Sequence, residues 1–305
     1  MNRYSLTAIA LICLICVIAL VQRLLSRQFA GRIETLRSIA AGEQLSGVTT
    51  SRDLPEIMRL FAVRNGATLS GPASVLAHQR AEMRLGPKQD FFPIAATQLS
   101  GTRKPAFVWD AWGRFAGIVP IHVVDCYVAG AGLLEARLAG SIRVARGTGP
   151  ESDKGEIMRF LSELAWNPDA ILNAEGLAWR QIDQNTVAVS APSAGGVATF
   201  RHRFDAKGDI VGIEADDRPY AVDGNYLPTR WIGRFSDYAQ FGRYRLPRHG
   251  EVAWVLPEGE FVYWRGDVTA LVASSSRSSS PTSFMRSPAV LAASAGVWIS
   301  TKHTR

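Results

Sequence analysis

Leu6 to Val21 runs LTAIALICLICVIALV, sixteen consecutive residues in which Thr7 is the only polar side chain. At 1.5 Å rise per residue the run makes a helix of roughly 24 Å, and Leu24 and Leu25 extend it towards the ~30 Å hydrocarbon core of a bilayer. A helix packed inside a globular core carries one apolar stripe, whereas this one is apolar all round. A secretory signal needs small residues at a cleavage site, and no A-x-A pattern follows Val21. Cys13 and Cys16 are each preceded by Ile, where lipoprotein processing needs a small residue. The expectation is therefore an uncleaved anchor over residues 1–27 and a single-pass protein of the cell membrane. Its partner through Leu6 to Val21 is the lipid membrane.

Four arginines, Arg23, Arg27, Arg32 and Arg37, follow the apolar run, against Arg3 before it. Taken alone, the positive-inside rule leaves the body in the cytoplasm. Cys126 is the only cysteine outside the anchor, so no internal disulfide speaks to the compartment.

The net charge of +7 suggests nucleic acid until it is located. Residues 274–305 hold Arg277, Arg286, Lys302 and Arg305 and no acid, so four of the seven charges lie there. The remainder is close to balanced, which is no footprint for DNA or RNA. That same stretch opens on a serine run and is expected to be a disordered Ser/Arg-rich tail.

Residues 28–52 are polar and expected as a stalk. Asp53-Leu54-Pro55-Glu56 then opens a helix that Asn65-Gly66 closes. From about Val75 the period falls to two, with strands expected at 106–110, 118–127 and 133–144. Ile157, Phe160, Leu161 and Leu164 mark a second helix, capped by Ser152-Asp153 and ended by Asn167-Pro168. Strands resume at 177–182, 186–191, 197–204, 210–215, 231–238, 251–256 and 261–271. Short turns such as Asp205-Ala-Lys-Gly-Asp209 favour antiparallel pairing. The fold class is α+β, a large antiparallel sheet with packed helices over residues 53–273, preceded by a transmembrane helix.

Nucleophile-elbow, P-loop and zinc-protease motifs are absent, and the five histidines lie far apart in sequence. No cofactor or metal is expected. Arg159 and Glu163 are four apart on one helical face, an ion pair that could also serve as an acid/base. Aromatic residues concentrate late in the chain, and Tyr263-Trp264 point to opposite faces of one strand. Arg234, Arg243, Arg245, Arg248 and His249 interleave with them, near Asp237, Glu251, Glu258 and Glu260, which largely cancel the charge.

Several strings occur in order: Leu54-Pro55, His78-Gln79-Arg80, Pro105-Ala-Phe-Val-Trp109, Arg159-Phe-Leu-x-Glu163-x-x-Trp166-x-Pro168 and Asp237-Tyr238-x-x-x-Gly242-x-x-x-Pro247, then Phe261-x-Tyr263-Trp264. With these the chain resembles an uncharacterised bacterial family of membrane-associated proteins, a domain of unknown function, over roughly residues 53–270. More loosely, a helix followed by many antiparallel strands is similar to the LolA-like lipoprotein-carrier scaffold. That resemblance implies a curved sheet, an open half-barrel, that holds acyl chains, and an extracytoplasmic body.

The function expected is binding of a lipid or other apolar ligand in the curved sheet. Trp109, Trp166, Trp231, Trp254, Tyr263 and Trp264 would line the concavity, and Arg159 and Glu163 would hold a plugging helix or meet a head group. The alternatives are a structural or partner-binding module without ligand, and a hydrolase or isomerase using Glu163 and Arg159, or His78 or His122.

Overall fold

The computed structural model describes residues 3–44, 53–69, 71–115, 117–222 and 224–274. The expected tail, 274–305, apart from Ser274, and the latter part of the expected stalk, 45–52, lie outside the described residues. Helix α1 (Arg3–Glu43) begins the chain, and α2 (Glu56–Arg64) follows. Six strands come next: β1 (Ser74–Met83), β2 (Phe92–Gly101), β3 (Phe107–Phe115), β4 (Val119–Val128), β5 (Ala131–Leu138) and β6 (Ile142–Gly147). Helix α3 (Pro150–Ser162), a 3₁₀ turn (Glu163–Trp166) and α4 (Pro168–Asn173) interrupt them. Seven more strands complete the domain: β7 (Ala178–Asp183), β8 (Thr186–Ser193), β9 (Gly196–Phe204), β10 (Ile210–Val222), β11 (Asn225–Phe241), β12 (Tyr244–Leu256) and β13 (Gly259–Ser274).

All thirteen strands form one antiparallel sheet in the order β6-β5-β4-β3-β2-β1-β13-β12-β11-β10-β9-β8-β7. Two meanders, β1 to β6 and β7 to β13, are joined by the pairing of the first strand with the last, from Ser74↔Ser274 to Met83↔Trp264. Helix α3 packs on β4 and β5 in one arm and on β8, β9 and β10 in the other. In a flat sheet β5 and β9 would lie about 43 Å apart at ~4.8 Å per strand, whereas a helix is ~10 Å wide. The sheet is therefore curled into an open half-barrel around α3.

Small residues let the helices in. A Cβ on Gly132 would fall 2.4 Å from the Ser152 carbonyl oxygen at the start of α3, and one on Gly250 would fall 2.7 Å from the Trp166 ring. The main core lies on this concave side, where Met58 and Phe61 of α2, Ile157, Phe160 and Leu161 of α3, and Ile171 of α4 meet the sheet. Asp209 takes both Arg64 of α2 and Arg245 of β12, and Asp169 of α4 takes Arg243 and Tyr244. The basic string noted in the sequence is thus bonded within the fold: Arg234 meets Glu251 and Glu260, Arg248 meets Asp237, and His249 meets Asp267.

On the convex side residues 28–43, the described part of the expected stalk within the helix, continue α1 without a break. Phe29, Ile33 and Ala40 are buried against Val108, Val124 and Cys126 in a second, smaller core. The fully buried Glu135 of β5 meets Arg32 of this helix together with Arg137 and Arg146. Burial opposes the Glu135 charge, but Arg137, Arg32 and Arg146 more than offset it and hold its carboxyl below the usual range. Arg37 donates to Thr97 (2.6 Å) and Asp110 (3.1 Å), and Asp110 also bonds His122.

Three local expectations change. Residues 133–144 are two strands, because Ala139-Gly140 turns the chain. Strand β2 escapes the periodicity argument because Ala96 and Gln98 take two of the positions on its inward face. Helices α2 and α3 start from Pro55 and Gly149 without a side-chain cap, not from Asp53 or Ser152.

His202 of β9 is fully buried, and burial lowers its pKa to about 4. Its unfolded value is near 6.5, so stability falls as pH drops between the two, by about 2 kcal/mol at pH 5 and about 3 at pH 4. Urea unfolding of the wild type and His202→Asn at pH 7 and pH 5 checks this, and the variant should lose that much less between the two pH values.

Candidate functional site

The concave face gathers its polar groups in two tiers. The inner tier centres on Arg159 of α3, which reaches the sheet. Its Nε donates to Glu163 (2.9 Å), Nη1 to Asp125 of β4, and Nη2 to Gln98 of β2 (3.3 Å). Gln98 in turn donates to Glu163, and the guanidinium lies over the rings of Phe107 (5.1 Å) and Trp109 (4.8 Å). Burial works against the Arg159 charge, but Glu163, Asp125 and Glu156 outweigh it and keep the cation charged.

Glu156, one turn earlier on α3, has the opposite balance. Burial, then the Asp125 charge and a hydrogen bond to Asp125, push its carboxyl well above the usual range. Two buried oxygens here, Asp125 Oδ1 and Glu156 Oε2, have no donor among the described residues. A proton on Glu156 shared with Asp125 satisfies both.

The outer tier is built by a bulge. Ile213 and Ala215 of β10 face inward, and strict alternation would put Asp217 there next. Ala215 pairs with Trp231 and Arg218 with Thr229, so one extra residue shifts the phase and brings Arg218 inward. Its guanidinium sits 4.8 Å from the Trp231 ring and 5.7 Å from Trp254. Tyr220 packs on Trp254 at 4.6 Å, Tyr263 stacks on Trp254 at 6.2 Å, and the Trp231 indole N–H donates to the Tyr263 hydroxyl at 3.1 Å. Arg218 is 8% exposed; no hydrogen bond from it occurs among the described residues, and its nitrogens keep some access to solvent. Its charge acts on Glu156, lowering a carboxyl pKa that burial and Asp125 raise.

The eight residues singled out from sequence thus fall into three groups. Trp109, Arg159 and Glu163 belong to the inner tier, with the Trp109 N–H donating to Gln79 at 2.8 Å. Trp231, Trp254 and Tyr263 form the box around Arg218. Trp166 and Trp264 lie apart: Trp166 packs edge-on against Phe235 and Trp264, and donates to the Pro247 carbonyl at 2.7 Å. Trp109, Trp166, Trp231 and Trp254 are all buried, while Tyr263 and Trp264 are half-buried. Sequence reasoning missed Gln98, Asp125, Glu156 and Arg218. Only the doublet Asp216-Asp217, which breaks the inward alternation of β10, hinted at the bulge.

The catalytic alternative finds no convergence. Both functional groups of the Arg159–Glu163 pair are spent on each other and on Gln98 and Asp125. His122 is on the opposite, convex face, between Phe29 and Trp112. Among the described residues no group of His, Cys, Asp and Glu could hold a metal ion. Two depressions lie away from the tryptophans. One of about 350 Å³ is lined by Asp205, Lys207, Tyr238 and Arg245, and one of about 400 Å³ beside α1 is lined by Leu36, Ile39, Cys126 and Leu133.

Among known proteins, the model of a family of unknown function, DUF6544, matches residues 45–266. Solved structures similar to this chain include a LolA superfamily protein from Nitrosomonas europaea, at 11% identity and a TM-score of 0.39, covering 74% of this chain and 94% of that one. A putative outer membrane lipoprotein-sorting protein domain from Vibrio parahaemolyticus matches at 12% identity and a TM-score of 0.40, covering 72% and 91%. A DUF1329 family protein from Desulfovibrio piger matches at 11% identity and a TM-score of 0.39, covering 72% and 93%. No curated protein matches the chain.

Arg159→Met removes the cation from the Asp125 and Glu163 carboxylates and should cost about 3–5 kcal/mol, read as a lower urea midpoint in detergent. Glu156→Gln keeps the hydrogen bond to Asp125 without the proton. Because the folded pKa of Glu156 is raised, its stabilising contribution is present at low pH and lost as pH rises through that value. Unfolding midpoints of the Gln variant should therefore match the wild type at pH 5 and exceed it at pH 9.

Proposed function

The chain belongs to the DUF6544 family, a family of unknown function, and from its own geometry we propose a membrane-tethered protein that binds an anionic amphiphile in its half-barrel. The observation that carries this is Arg218, a guanidinium largely covered by two tryptophans that makes no hydrogen bond among the described residues. A carboxylate or phosphate group can replace the water that reaches this cation with a bidentate acceptor. Trp231, Trp254, Tyr220 and Tyr263 offer apolar surface beside it for the first part of a hydrocarbon chain. Arg159 and Glu163 hold the α3 plug rather than the head group, since their bonds are already made within the protein.

The tether is α1, whose window from Ile9 is long and apolar enough to cross a membrane. Anchors and signal sequences share that property. Retention is favoured because the same helix continues into the domain, with Gln22, Phe29 and Ile33 built against the sheet.

A second reading has its own support. Helices α2 to α4 occupy the concave side, and the indole N–H groups of Trp109, Trp166 and Trp231 are bonded within the protein. A filled half-barrel of this kind would serve as a partner-binding module.

Native mass spectrometry of the full chain released from detergent separates the two. An anionic amphiphile of defined mass should remain on the wild type, and its occupancy should fall about tenfold or more in Arg218→Gln, because hydrogen bonds to a charged group are worth about 1.5–3 kcal/mol. Lipid held only by α1 would be equal in both proteins. Equal or absent occupancy would overturn the amphiphile reading and leave the partner-binding module.

A further inference from the structure

The tips of two hairpins stand level with the end of the apolar run of α1. Phe29 meets His122 (4.8 Å between ring centroids), and Glu43 accepts from the Ala129 N–H (3.1 Å). The steps from Phe29 to Glu43 rise about 21 Å along a helix, and those from His122 to Ala129 about 23 Å along a strand. Helix α1 and strand β4 therefore run side by side in one direction. Stepping back along β4 from His122 to Val119 covers about 10 Å, which is the rise from Phe29 back to about Gln22. Two hydrogen bonds agree: the Gln22 amide donates to the Ala139 carbonyl (3.0 Å), and the Ala139 N–H donates to the Pro120 carbonyl (2.7 Å). The β3–β4 tip and the start of β6 thus lie where Val21 ends the apolar run.

What these tips expose is unusual for a surface bathed in water. Ile118 is 77% exposed, and Phe115, Val119, Ile142, Val144 and Trp112 are exposed beside it. The charges nearby are mostly basic, and on the adjoining β1–β2 hairpin the exposed Lys88 and Asp90 offset each other. Arg23, Arg27, Arg114 and Arg143 are exposed, while every acid between Asp110 and Arg146 (Asp110, Asp125, Glu135) is buried. Apolar tips flanked by arginines and an interfacial tryptophan match the headgroup layer of an anionic bilayer.

We propose that the β3–β4 and β5–β6 hairpin tips are a membrane seat, dipping Phe115, Ile118 and Ile142 into the same leaflet that α1 enters. This rests on α1 being a retained anchor. The seat fixes the domain against the bilayer, since α1 is clamped to the sheet by Glu135 and Asp110 and cannot pivot.

The test places an environment-sensitive fluorophore on single cysteines in a Cys13→Ser, Cys16→Ser, Cys126→Ala full-length background, reconstituted in phosphatidylcholine/phosphatidylglycerol vesicles. Labels go on Leu14→Cys in α1, on Ile118→Cys, and on Ala131→Cys at the other end of β5. Quenching by a lipid-borne nitroxide should be about threefold stronger at 118 than at 131 and close to that at 14. A quenched label at 14 with an aqueous label at 118 overturns the seat and leaves the anchor standing. An aqueous label at 14 removes the anchor and the seat together. Ile142→Cys gives a second reading of the same surface, and an aqueous label there would also count against the seat.

Discussion

Helix α3 lies between the two arms of a single sheet, and the rest of the structure depends on its being held there. A helix touching strands nine positions apart forces the sheet to close around it. Apolar burial alone would let the helix slide or rotate, because dispersion contacts are many, weak and without direction. Arg159 removes that freedom. It bonds β2 through Gln98, β4 through Asp125 and the following 3₁₀ turn through Glu163. Glu156, on the same helix, stands between Asp125 in one arm and Arg218 in the other. The phase shift in β10 then becomes intelligible: it presents Arg218 to a helix whose position is already set by other bonds.

The elements that could be read from sequence were those whose pattern reports a single neighbour. The apolar stripe of Ile157, Phe160 and Leu161 names α3, and the alternation around His78 names β1. Most later strands followed, and so did the antiparallel pairing that short turns impose. Strand β2 was lost because it lies beneath the helical plug, where Ala96 and Gln98 replace the large apolar residues that mark a strand. In the site, Arg159 and Glu163 were visible as a pair because helical spacing joins them. Asp125 and Gln98 complete their network from strands whose approach depends on the curl of the sheet, which no local pattern encodes. Arg218 faces inward only because of a bulge, so alternation argued against it. The tryptophans expected to line the concavity all pack in or against the main core, and no local pattern tells a lined cavity from a packed one.

The arginines after the apolar run show a similar dependence on context. Counted along the chain, Arg23, Arg27, Arg32 and Arg37 form one basic cluster. In the fold, Arg32 is held by Glu135 and Arg37 by Asp110, so these two serve to fasten α1 to β5 and β3. Of the four, only Arg23 and Arg27 are exposed without an ion pair among the described residues. The positive-inside rule concerns charge available to the lipid surface, and half of the apparent signal is structural glue.

The pairing of β1 with β13 carries a consequence for how the chain is made. The two strands meet at the middle of the sheet, with Ser74 opposite Ser274. During synthesis β2, β3 and β4 can assemble early, since their hairpin contacts are close in sequence. The inner edge of β1 stays open until the last strand has left the ribosome. An ordinary sheet grows outwards and leaves its late strands at the margin, but here the final strand closes the centre. Until then each half presents a bare edge, the feature most prone to pairing with another chain. The domain's first and last strands are its keystone, and its slowest contact is also its most central.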